Sequence, residues 1–163
     1  MRDRGEYTDH IPAGRDSVML VYIQSYRDCV PKGTFITLPY GEQYKFCGLD
    51  QMLLKMEDIM DTVSGPESAF RHRYLYQEPF VFQETGYPVT VLKPGMPAHM
   101  PGSKATFTIQ VCYRQHGSMQ GRLTAQVDEK YEKISFRSSL ELMRMLHEYL
   151  HKEAGCLAKG AGN

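Results

Sequence analysis

C-G-L-D-Q-M-L-L-K-M-E-D-I-M (47–60) and R-S-S-L-E-L-M-R-M-L-H-E-Y-L (137–150) decide how this chain is read. Each repeats apolar side chains three and four apart, the spacing of one helical face. At the offset 137 − 47 = 90, Met52 meets Leu142, Leu53 meets Met143, Met56 meets Leu146, Ile59 meets Tyr149 and Met60 meets Leu150. Gly48 meets Ser138 at the cap, and Gln51 meets Glu141 at the partner position. In the second stretch S-S-L-E reads as a capping box, with Ser138 accepting from the first turn and Glu141 reaching back. Gly65 and Pro66 close the first helix. Glycine tolerates a left-handed cap and proline blocks continuation.

Strands are expected before each helix. S-V-M-L-V-Y-I-Q-S-Y (17–26) is rich in β-branched and aromatic residues and predicts a buried strand. G-T-F-I-T-L and Q-Y-K-F flank P-Y-G-E, the pattern of a hairpin. A-T-F-T-I-Q-V-C-Y (105–113) alternates. Phe107, Ile109, Val111 and Tyr113 are expected on one face, and Thr108, Gln110 and Cys112 on the other. R-L-T-A-Q-V and Y-E-K-I-S-F flank D-E-K, a second hairpin. Gly33 and Gly121, 121 − 33 = 88 residues apart, are expected to open the second strand of each half. The sequence therefore predicts an α+β fold of two β-β-β-α units arisen by duplication. Their antiparallel strands, in one sheet or two, pack against two amphipathic helices. The expected boundaries are a flexible arm over 1–16, a first unit over 17–65, a Pro-rich linker over 66–104, a second unit over 105–153 and a flexible tail over 154–163. Within the linker, E-P-F-V-F-Q and P-V-T-V-L-K are candidates for a short hairpin over a core edge.

Composition narrows the function classes. The 163 residues carry 19 Lys+Arg and 19 Asp+Glu, a formal net charge of +0. Bulk electrostatics therefore gives no pull toward nucleic acid or an anionic membrane. The longest strongly apolar run, Val18 to Ile23, is far too short to span a bilayer. The N-terminal M-R-D-R-G-E-Y-T-D-H lacks the apolar core of a signal peptide. Cys29, Cys47, Cys112 and Cys156 form no C-x-x-C and read as reduced thiols of a cytoplasmic protein. The ten Met are numerous for this length, and several fall on the helix faces, where they fill irregular gaps.

The block Y-R-Q-H-G-S-M-Q-G-R-L-T … S-F-R-S-S-L-E-L-M (113–143) resembles a group of small uncharacterised bacterial proteins. They share a similar arginine–glutamine turn, a Q-G and an F-R-S-x-L-E-L helix start. The resemblance implies a compact intracellular domain and transfers neither an activity nor a catalytic residue.

Four patterns invite chemistry. His147-Glu148-x-x-His151 has the spacing of zinc peptidases, two imidazoles one helical turn apart with a Glu between them. Yet no third ligand follows it in sequence. At about 100° per residue both histidines lie off the apolar face, and their counterparts in the first helix are Glu57 and Asp61. They remain a weak candidate pair for zinc, and no cofactor is expected. Arg114, His116 and Ser118 sit in one turn, but a base adjacent in sequence is poorly placed to activate a serine. R-H-R-Y-L-Y (71–76) mixes cations with aromatics, a combination that stacks bases and holds phosphate. The PilZ-type cyclic-dinucleotide pattern fails, because Arg71 and Arg73 are too close together and Ser118-x-x-Gly121 lacks its acidic or amide partner. No catalytic set emerges. The leading expectation is a non-enzymatic protein-interaction module, a small cytoplasmic regulator, adaptor or inhibitor whose partner is another protein. The alternative is a nucleic-acid or nucleotide binder, including an inhibitor of a nucleic-acid enzyme, and a zinc hydrolase is more remote. Arg71, His72, Arg73, Arg114, Gln115 and Arg122 are the candidate contact residues for either binding mode.

Overall fold

The structure, a computed structural model, describes residues 17–38, 42–62, 66–69, 73–76, 87–88 and 102–160. The N-terminal arm, most of the linker including Arg71 and His72, and the last three residues lie outside the described residues.

Three strands, β1 (Ser17–Arg27), β2 (Val30–Leu38) and β3 (Glu42–Cys47), lead into helix α1 (Leu49–Thr62). Three more, β5 (Ala105–Tyr113), β6 (Gln120–Val127) and β7 (Lys130–Phe136), lead into helix α2 (Ser139–Gly160). A two-residue strand β4 (Tyr87–Pro88) stands between them. All seven join in one sheet of order β4-β3-β2-β1-β5-β6-β7, and neighbouring strands all run antiparallel among the described residues. The fold is thus α+β, with one sheet among the described residues. The helix α2 runs to Gly160, beyond the boundary expected at 153.

The registers of the two halves correspond. Val21 pairs with Phe35 and Ile109 with Leu123, each 88 residues later. Gly33 pairs with Phe46, and Gly121 with Phe136, so the shift becomes 136 − 46 = 90 after a second hairpin two residues longer. Both first strands carry an irregularity at the corresponding place, between Ile23 and Ser25 and between Val111 and Tyr113. Both first turns have two successive positive φ values, Asp28 and Cys29 (52° and 61°) and His116 and Gly117 (55° and 67°). Positive φ at both central residues is the type I′ pattern, whose twist matches that of the flanking strands. The central pair β1–β5 sets Leu20 opposite Thr108.

The two glycines, expected to open their strands, instead follow the first residues of β2 and β6 and sit opposite the irregularities. A Cβ at Gly33 would lie 2.0 Å from the Tyr22 carbonyl oxygen and 3.1 Å from the Phe46 ring. One at Gly121 would lie 1.9 Å from the Gln110 carbonyl oxygen and 3.1 Å from the Phe136 ring. Each glycine is therefore required by close backbone approach.

One face of the sheet carries the helices. Met19, Val21, Ile23, Phe35, Phe107, Ile109 and Val111 form one buried cluster with Met52, Met56, Met60, Leu142, Leu146 and Leu150. Burying each large side chain contributes on the order of 2 kcal/mol. Helix starts are built alike. The Cys47 N–H donates to Gln51 Oε1 at 2.7 Å, and the Arg137 N–H donates to Glu141 Oε2 at 2.7 Å. Ser138 Oγ accepts from the Glu141 N–H at 3.1 Å, whereas Gly48 takes φ 90° at the corresponding place. The reaching-back carboxylate therefore caps one residue earlier than a capping box would. On the opposite face the halves differ. Tyr22, Thr34 and Ile36 are buried, while Thr108, Gln110, Arg122 and Thr124 are half-buried and Tyr131, Lys133 and Ser135 are exposed.

Candidate functional site

The alternation that puts Val21 and Ile23 on the helix side would turn residue 26 away. The extra residue at 24 resets it, and Tyr26 is directed to the helices. In β5 the extra residue is Cys112, which turns Tyr113 outward, half exposed, and sends Arg114 inward. The expectation that Tyr113 shares a face with Val111 is thereby corrected. Tyr26 and Arg114 stand 88 residues apart and reach corresponding residues, each on the helix of the other half.

Arg114 is 2 % exposed. Its Nη2 donates to Glu57 Oε2 at 2.6 Å and its Nε to the same oxygen at 3.2 Å. Its Nη1 meets Asp61 Oδ1 at 2.7 Å and donates to the Pro66 carbonyl at 3.2 Å. Burial opposes its charge, but hydrogen bonds to Asp61 and Glu57 and their negative charges together hold it above the usual arginine value. A parallel bridge from Ser68 and the Ala69 N–H on the Arg114 carbonyl (3.0 Å) tie the chain after α1 to the same place.

The corresponding corner holds a tyrosine, two histidines and a cysteine in place of the ion pair. Tyr26 Oη lies 2.5 Å from His151 Nδ1 and 3.3 Å from His147 Nδ1. The rings of Tyr26 and His151 meet edge-on at 5.5 Å, and those of Tyr26 and His147 are tilted at 6.2 Å. Cys29 Sγ, in the β1–β2 turn, is 3.8 Å from His151 Nε2. Burial raises the Tyr26 phenol, and the negative charge and hydrogen bond of Cys29 raise it further.

The two histidines are therefore joined by a tyrosine that sequence spacing did not reveal. The missed signal was a break in alternation, Val21-x-Ile23-x-x-Tyr26 repeated as Ile109-x-Val111-x-x-Arg114. Among the described residues no group of three or more His, Cys, Asp or Glu could hold a metal ion. In the turn of Arg114, His116 and Ser118 the guanidinium is committed to Glu57 and Asp61. Ser118 Oγ accepts from the Ser139 N–H at 2.7 Å and docks the turn on the start of α2, and His116 is exposed. Of the candidate contact residues, Arg73 is exposed. The Gln115 N–H and carbonyl are bound by the Gln120 side chain at 2.8 and 2.9 Å. Arg122 pairs in register with Gln110 on the face turned from the helices, the opposite side from Arg114.

No helix among the described residues is long and apolar enough to cross a membrane. Comparison with protein-family models, with curated proteins and with solved structures finds no match.

Proposed function

We propose that this chain is a non-enzymatic protein-interaction module, a small cytoplasmic regulator, adaptor or inhibitor, built from two copies of one β-β-β-α unit. Support for duplication comes from the matched registers, the matched extra residues, the paired glycines and the paired helix starts described above.

The observation that carries the interaction reading is the unequal treatment of the two sheet edges. At one edge β3 takes β4 as an added strand, Glu42 opposite Pro88 and Gln43 opposite Tyr87. At the other edge β7 has no strand partner beyond β6 among the described residues, and six of its seven residues are exposed. Tyr131 is 67 % and Ile134 49 % exposed, one on each face of that edge. An unpaired strand offers a row of N–H and C=O groups to an added strand. Lys130, Glu132 and Lys133 limit indiscriminate pairing and favour a segment of matching charge. The partner is thus an extended segment of another protein, added antiparallel to β7.

The experiment is comparative capture from cell extract by the wild-type chain and by a Tyr131→Lys, Ile134→Lys variant of unchanged circular dichroism. The same protein, captured by the first and lost by the second, is expected to slow amide exchange in β7 when bound. A partner that the variant still holds, or a chain that remains monomeric and alone, overturns the reading. The nucleic-acid alternative loses Arg114 to an internal ion pair and has no net positive charge behind it. An oligonucleotide complex that weakens steeply with salt would restore it.

A further inference from the structure

Cys29, His151 and Tyr26 form a line that protein interaction does not use. Sγ of Cys29 is 3.8 Å from Nε2 of His151, and Nδ1 of the same ring is 2.5 Å from Oη of Tyr26. A neutral imidazole has one N–H and one lone pair. Tyr26 Oη has one proton to give and lone pairs to accept with. Of the two assignments that satisfy both histidines, one has Tyr26 donating to His147 Nδ1 and accepting from His151 Nδ1–H, and it is the one that serves the thiol. The lone pair of His151 then sits on Nε2, facing the thiol. Nucleophile, base and a third group orienting the base is the arrangement that makes a weak nucleophile reactive.

The backbone differs between the two halves at this turn. Cys29 takes φ 61° at the second central turn position, where the corresponding residue of the other half is Gly117 at 67°. A side chain held there costs about 1 kcal/mol relative to glycine. Cys47 is also exposed, and its N–H binds Gln51. Among the described residues it has no histidine beside it. Cys29 is exposed, so the thiol is open to small reagents.

We infer that Cys29 is a surface nucleophile, served by His151 and oriented through Tyr26, that exchanges with low-molecular-weight disulfides, making the β1–β2 turn a redox modification site. His151 Nε2 takes the thiol proton and Sγ attacks one sulfur of R–S–S–R. The disulfide bond breaks, Cys29–S–S–R forms, and the departing R–S⁻ takes the proton from His151. Cys29 is oxidised and the leaving sulfur reduced. The adduct sits where the first turn touches the second helix, so modification is read at the contact between the two halves.

The test uses the full chain at neutral pH with hydroxyethyl disulfide, an uncharged probe, and follows each cysteine by mass. Cys29 is expected to react about tenfold or more faster than Cys47. His151→Gln should bring Cys29 down to the Cys47 rate and leave Cys47 unchanged. Tyr26→Phe should slow Cys29 by severalfold. Equal rates at Cys29 and Cys47 in the wild type would overturn the inference, as would an unchanged Cys29 rate in His151→Gln. Should His151→Gln loosen the fold, the rate at half-buried Cys112 would rise, and the wild-type ratio of Cys29 to Cys47 then decides alone.

Discussion

Arg114 with Glu57 and Asp61, and Tyr26 with His147 and His151, occupy corresponding corners of the sheet. In each, a residue past an extra strand position crosses to two helix residues one turn apart on the other half. One corner is an ion pair with the cation almost fully buried; the other is a tyrosine between two imidazoles beside a thiol. The same backbone thus holds two unlike chemistries. A buried ion pair repays desolvation only when its geometry and hydrogen bonds are complete, and the guanidinium here has three oxygen partners. The Tyr26 corner has no buried guanidinium and lies more exposed, which leaves its histidine and thiol accessible.

That contrast sets the order of expected effects. Arg114→Ala should cost about 3 kcal/mol, because it leaves the Glu57 carboxylate half-buried without its cation and frees the Pro66 carbonyl. Urea unfolding measures it, and a loss below 1 kcal/mol, approximately, would mean that the corner is a surface pair. Gly33→Ala and Gly121→Ala should each cost about 2 kcal/mol, and by similar amounts, since each meets a carbonyl oxygen of the neighbouring strand. A large difference between the two would break the correspondence of the halves. Tyr26→Phe removes the shared hydroxyl and should cost about 1 kcal/mol, well short of Arg114→Ala. Cys29→Gly should stabilise by up to about 1 kcal/mol by relieving the left-handed residue, with a higher melting temperature as the readout.

The smallest effect is alkaline. Burial raises the phenols of Tyr22, Tyr26 and Tyr149 above the ordinary value of 10.0. Unfolded phenols ionise near that value and folded ones resist, so stability present below pH 10 is lost as pH rises from there through the raised values. Amide exchange should quicken at the Tyr26 corner before the Arg114 corner, whose cation is held above its usual value. Equal quickening at both would remove the distinction.

Much of the architecture was legible. Apolar spacing located both helices, β-branched runs located the strands, and Ser138 with Glu141 marked the start of α2. The joining of the strands into one sheet was not legible, because β1–β5 pairing is a long-range choice between alternatives that satisfy the same local pattern. The candidate site was legible only in part. His147 and His151 stood out by their motif, and by helical geometry they belong off the apolar face. Their tyrosine comes from a strand more than a hundred residues away. Arg114 read as a surface cation because strict alternation was assumed through Cys112.

The sequence by itself determined where helices and strands form, since period and capping act over a few neighbouring residues. It also determined that two stretches of the chain share one plan. Tertiary structure decided which residues meet. One extra residue in a strand reverses which face every later side chain takes, and that step has a physical meaning only against a paired neighbour. Register therefore turned Arg114 into the anchor of α1 and Tyr26 into the partner of the histidines on α2.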